Sequence, residues 1–120
     1  MPFGTVLLVD DNADSAAAMS LLFRHWGHEV KSAQSGVTAL KLLEEFGPDV
    51  AFIDIGLPDI DGYEVARRLR ALPARRPVQL IALTGFGTAV DRERSKDAGF
   101  DEHVVKPANA EQLARLLNAA

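Results

Sequence analysis

Five short runs rich in valine, isoleucine and leucine recur along the chain, each followed by a segment of helical periodicity. This alternation restricts the fold more than any other feature. "TVLLV" (Thr5 to Val9) reads as a continuous apolar run, as a strand covered on both faces does. The segment after it places Met19, Leu22, Phe23 and Trp26 at i, i+3, i+4 and i+7, the spacing of an amphipathic helix. Asn12 or Asp14 is placed to cap its start, and Gly27 lies where a helix end favours a left-handed residue. "HEVKSA" is the second strand, and Ser35 opens a helix carrying Leu40, Leu43 and Phe46 that stops at Gly47-Pro48. "DVAFIDI" (Asp49 to Ile55) is the third strand, and "LPDIDG" a loop. Val65, Leu69 and Leu72 form the stripe of the next helix, which Pro73 ends. "VQLIALT" and the core "HVV" supply the fourth and fifth strands, and Leu113, Leu116 and Leu117 mark the last helix. Buried strands alternating strictly with helices predict an α/β fold: a parallel sheet with right-handed crossovers and helices on both faces.

At 120 residues the chain is expected to be a single domain over 1–120, large enough for a core without disulfide or metal staples. It holds no cysteine, which removes disulfides and thiolate metal sites and fits a reducing, cytoplasmic compartment. No apolar run approaches the roughly 20 residues that span a bilayer, and "MPFGTVLLVD" lacks the charged start of a signal peptide. Thirteen basic against 17 acidic side chains give a net charge of −4, which argues against nucleic-acid binding.

Ligands of open parallel sheets sit beyond the carboxyl ends of the strands. There the sequence places Asp10 and Asp11 after the first strand, Asp54 at the end of the third, Thr84 after the fourth and Lys106 after the fifth. Three carboxylates in one crevice raise each other's pKa unless a cation intervenes. An oxygen-only donor set with room for water or phosphate suits Mg²⁺, with Mn²⁺ as an alternative, better than Zn²⁺. A metal held by Asp10 or Asp11 and shared with Asp54 leaves one Asp54 oxygen free to attack phosphorus. Lys106, the Thr84 hydroxyl and backbone N–H groups after the third and fourth strands, Gly85 among them, then face the phosphoryl oxygens. Pro107 is expected to follow a cis bond and to aim the lysine.

"LLVDDN", "VAFIDIGLPDIDGYEVARRLR", "IALTG" and "VVKPA" together resemble the receiver domains of two-component response regulators, over essentially the whole chain. The resemblance implies a flavodoxin-like, doubly wound (βα)5 sheet of five parallel strands in the order 2-1-3-4-5. It implies a signalling switch rather than a metabolic enzyme: Asp54 accepts phosphate from a histidine kinase or phosphotransfer protein. Asp10 and Asp11 become the acidic pair for Mg²⁺ with the Gly56 carbonyl as a further ligand, Thr84 the switch hydroxyl and Lys106 the phosphate-binding lysine. Gly56 and Phe86 stand at the mouth of the site. "DIGLPDIDGYEVARRLR" with "ALTGFG" and "KPA" looks like receivers fused to sensor kinases, so a module of a longer chain is favoured over a free-standing receiver. The output partner is not specified. A metal-dependent aspartate-nucleophile phosphatase and a phosphate-independent interaction module are the competing classes.

Three other motifs fail. "DDNADS" begins like a calcium loop, but Ser15 stands at the required glycine and Leu21 at the bidentate glutamate. "GFGTAV" has Val90 in place of the third glycine of a dinucleotide fingerprint. The DxD of the phosphatases would need an acid at Gly56. His25 and His28 read as solvent-facing or structural, and "RRLRALPARR" as a solvated basic face. Two departures from the resembled pattern stand out. His103 occupies the switch position where many receivers carry Tyr or Phe. The fourth helix, "TAVDRERSKDAG", offers only Ala89, Val90 and Ala98 as apolar surface.

Overall fold

The computed structural model describes residues 4–72, 78–85 and 87–119. Its elements alternate without exception: β1 (Thr5–Val9), α1 (Ala13–His25), β2 (Glu29–Ala33), α2 (Gly36–Phe46), β3 (Val50–Asp54), α3 (Gly62–Ala71), β4 (Gln79–Thr84), α4 (Ala89–Ala98), β5 (Glu102–Val105) and α5 (Ala110–Ala119). The strands form one parallel sheet in the order β2-β1-β3-β4-β5. This is the flavodoxin-like arrangement expected.

The sheet sorts its side chains with the period of 2 that a pleated strand imposes. Val6, Leu8, Val50, Phe52, Ile81, Leu83 and Val104 point to one face, where they meet Ala16 and Phe23 of α1 and Leu113 and Leu117 of α5. Leu7, Val9, Ala51, Ile53, Leu80 and Ala82 point to the other, against Ala39 and Leu43 of α2 and Tyr63, Val65 and Ala66 of α3. Burial on both faces is why β1, β3 and β4 read as unbroken apolar runs. The edge strand β2 buries only Val30 and Ala33 and leaves Glu29, Lys31 and Ser32 to solvent, which discourages pairing with another chain.

Asn12, rather than Asp14, caps α1: its side chain accepts from the Ser15 N–H. Ser35 caps α2, and Gly47 closes it in the left-handed region at φ 60°. Two side-chain expectations are corrected. Leu72 does not join the stripe of α3: the helix stops at Ala71, and Leu72 is extended and exposed, the conformation imposed on a residue before proline. Pro73 itself, with the rest of the basic loop through Arg76, lies outside the described residues. On α4 Ala89 and Val90 are exposed, and the buried positions are Ala98 and a polar residue, Ser95. This helix therefore sits on the sheet with almost no apolar stripe.

Candidate functional site

The carboxyl ends of β1, β3, β4 and β5 open on one edge of the sheet. The register that sets Asp54 beside Leu83 and Thr84 beside Val105 brings the acid of β3 and the residue after β5 to the same end. The Lys106 N–H donates to the Thr84 carbonyl (2.7 Å), so the ladder continues one residue past β5 and turns the lysine inward. The Lys106–Pro107 peptide bond is cis.

Lys106 Nζ donates to Asp54 Oδ2 at 2.7 Å and lies 3.6 Å from Asp10 Oδ2. Asp10, Asp11 and Asp54 each bring a carboxylate oxygen within 4.8 Å of the others. Asp10 is fully buried, Asp54 and Thr84 are nearly so, and Asp11 is exposed. Asp54 Oδ1 accepts from the Gly56 N–H (2.9 Å), and Asp10 Oδ1 accepts from the Asn12 N–H (3.0 Å). Asp10 Oδ2 has no hydrogen bond, the one buried side-chain oxygen or nitrogen without any among the described residues.

Burial pushes the Asp10 carboxyl above its ordinary value. The Asn12 N–H and Lys106 pull the other way, and the neighbouring Asp54 charge adds to the rise. For Lys106 burial favours the neutral amine, but its hydrogen bond to Asp54 and the charges of Asp54 and Asp10 outweigh it and hold the ammonium above its ordinary value. A buried carboxylate oxygen with no hydrogen bond, beside two further carboxylates, fits a hard divalent cation such as Mg²⁺. A Cβ on Gly56 would lie 3.6 Å from Asp54 Oδ1, so the glycine leaves the acid open from that side. Gly85 follows β4 in the open, with nothing within 4 Å of its Cβ direction. Phe86 lies outside the described residues.

His103 reaches toward α4: its Nδ1 is 2.9 Å from the hydroxyl of Ser95, whose residue is buried on that helix. His28 is structural, with Nδ1 accepting the Gly4 N–H (3.2 Å) at the opposite end of the sheet, whereas His25 is exposed. Of the described arginines of the basic segment, Arg67 and Arg68 pair with Glu64, and Arg70 with Asp101 and the carbonyls of Val78 and Gly99. Sequence reasoning missed Asp59, whose carboxylate accepts from the Gly36 and Val37 N–H groups (2.8 and 2.9 Å). A partner 22 or 23 residues distant leaves no local signal.

A parallel sheet wound on both faces, with three carboxylates and a lysine meeting at its carboxyl edge, is the arrangement that the resemblance to receiver domains implied. The profile described as the response regulator receiver domain matches residues 6–118, and the chain belongs to that family, the receiver domains of two-component systems. It is 36% identical over 115 residues to the transcriptional regulatory protein AfsQ1 of Streptomyces coelicolor, a match covering 96% of this chain and 50% of that one. It is 33% identical to a putative response regulator of Chloroflexus aurantiacus, with a TM-score of 0.87 over 96% of this chain and 95% of the other. The receiver domain of the Saccharomyces cerevisiae response regulator Ssk1, solved with the histidine phosphotransfer signaling protein Ypd1, is 26% identical, with a TM-score of 0.91 and coverage of 98% and 88%. The chain spans about half the length of the curated transcriptional regulators it matches. Among the described residues no helix is long and apolar enough to cross a membrane.

Proposed function

We propose that residues 1–120 act as one phosphoacceptor domain in which Asp54 takes a phosphoryl group from a histidine kinase or phosphotransfer protein of the cytoplasm. The observation that carries this reading is the meeting of Asp54 with Lys106 at 2.7 Å inside a three-carboxylate cluster. An Asp54 oxygen attacks the phosphorus of a phosphohistidine; the O–P bond forms as the P–N bond breaks, and the electron pair leaves on the imidazole. Asp54 then carries an acyl phosphate. Lys106, the Gly85 N–H and the Thr84 hydroxyl neutralise and orient the phosphoryl oxygens. Asp10, Asp11, Asp54 and the Gly56 carbonyl would hold Mg²⁺ or Mn²⁺, which supplies charge neutralisation at the transferring group when bound. Gly56 and Phe86 control the access of water to the acyl phosphate, and so its lifetime. Thr84 and His103 pass the change on, His103 through its bond to Ser95 on α4. The domain catalyses only its own phosphorylation and dephosphorylation.

The test is the intact mass after incubation with acetyl phosphate and Mg²⁺, beside Asp54→Asn and a chelator control. A single labile phosphoryl adduct, missing from both controls, is expected. Turnover of small phosphomonoesters would instead favour a phosphatase. Absence of any adduct together with no binding of beryllofluoride would favour a module that signals without phosphate.

A further inference from the structure

We propose that Asp59 is a positioning residue: by clamping the first turn of α2, it holds the β3–α3 loop so that the backbone of Gly56 meets Asp54 in the arrangement phosphorylation requires. This rests on the phosphoacceptor reading of Asp54 given above.

The first N–H groups of a helix have no partner within it and must find one elsewhere. In α2 the task is divided. Ser35 Oγ accepts from the Thr38 N–H (3.2 Å), as an ordinary cap does. The Gly36 and Val37 N–H groups go instead to the two oxygens of Asp59, in the middle of the loop between β3 and α3. Those two donors, Val37 before Gly36 in effect, pull the Asp59 carboxyl down to about 2, so the clamp is charged at any working pH.

Gly36 completes the contact from the other side. A methyl group there would run into the Ile60 side chain and stand 2.9 Å from the Ile60 carbonyl oxygen, so the helix approaches this loop as closely as it does only because residue 36 is glycine. The loop is also tied at both ends. The Gly56 N–H donates to Asp54 Oδ1, and the Gly62 N–H donates to the Ile55 carbonyl (2.9 Å each). Between these ties Leu57 is buried, while Pro58 and Asp59 are exposed. Asp59 is therefore the polar anchor of the stretch that carries Gly56, and it anchors that stretch to α2 rather than to the sheet. Its action on Asp54 is through the loop.

The experiment compares Asp59→Ala, Asp59→Asn and Gly36→Ala with Ser35→Ala, which weakens the same helix end without touching the loop. Two quantities are read well below the melting temperature: hydrogen exchange of the Gly56 amide and the rate of Asp54 phosphorylation by acetyl phosphate with Mg²⁺. Asp59→Ala and Gly36→Ala are expected to speed exchange and slow phosphorylation, each by about tenfold, the scale of losing charge-assisted hydrogen bonds. Asp59→Asn, which keeps one acceptor oxygen, falls between them and wild type. Ser35→Ala lowers the melting temperature and leaves both quantities unchanged.

Gly56 exchange in Asp59→Ala equal to that of wild type overturns the clamp. Faster exchange with an unchanged phosphorylation rate overturns the positioning role, as does a Ser35→Ala variant that behaves like Asp59→Ala. If the wild type takes no phosphoryl group, the phosphoacceptor reading fails on its own account, and the exchange measurements still decide the clamp.

Discussion

Asp10→Asn should make the metal-free protein more stable and remove most of its response to Mg²⁺. Asp10 is fully buried, and its Oδ2 has no hydrogen bond. Lys106, 3.6 Å away, attracts the charge, while Asp54 repels it, which leaves burial as the dominant effect. An asparagine keeps Oδ1 for the Asn12 N–H and removes the buried charge. A buried polar atom without a hydrogen bond costs about 1–3 kcal/mol, and removing the charge gives up the longer attraction to Lys106, so a net relief of about 2 kcal/mol is expected. The unfolding entropy of a 120-residue chain is about 0.25 kcal/mol per kelvin, which converts that relief into a rise of about 8 °C. Mg²⁺ at a hundredfold excess over its dissociation constant should add about 2.7 kcal/mol to the wild type, or about 11 °C. The variant should gain little. Thermal melts in chelator and in Mg²⁺ measure both effects. A variant that melts below wild type in chelator would refute the claim that the Asp10 charge is strained, and a full Mg²⁺ response in the variant would refute its role as a ligand.

Because the Asp10 carboxyl titrates above the ordinary 3.8, protons compete with the metal at a higher pH than they would at an exposed acid. Mg²⁺ affinity, measured by calorimetry, should fall as pH drops through that raised value. Stability of the metal-free protein runs the other way. The ionised, buried acid costs stability at neutral pH, and this cost is relieved as pH falls through the folded-state pKa, an effect absent from Asp10→Asn. Gly62→Ala should lower the melting temperature by about 4–12 °C, from an overpacking cost of about 1–3 kcal/mol. Its methyl would lie 2.6 Å from the Asp54 carbonyl oxygen and 2.8 Å from Ile55 Cα, backbone atoms that cannot rotate away. Gly85→Ala, with nothing within 4 Å, should stay within a few degrees of wild type in the same assay. Finally, α4 buries only Ser95 and Ala98, so its amides should exchange faster than those of α1, α2, α3 and α5; equal protection would show that the Ser95–His103 bond seats the helix as firmly as apolar packing does.

The sequence by itself determined the alternation of elements, the doubly covered strands and the residues that close them. Each of these is written in short-range patterns: continuous apolar runs for strands with two buried faces, a spacing of three or four for helices, and Ser35 or Gly47 at their ends. The acids and the lysine were legible too, because a parallel sheet sends every strand's carboxyl end to one edge, so Asp10, Asp54 and Lys106 had to converge. What the tertiary structure decided concerns partners that no local pattern encodes. Ser95 replaces Val90 as the seat of α4 because the helix turns that face to His103 of β5. Asp59, in sequence one more polar residue of a turn, becomes the second cap of α2 only when the two segments pack together. The orphaned oxygen of Asp10 appears only once burial is known, because a carboxylate is strained by what its surroundings withhold rather than by its neighbours in the chain.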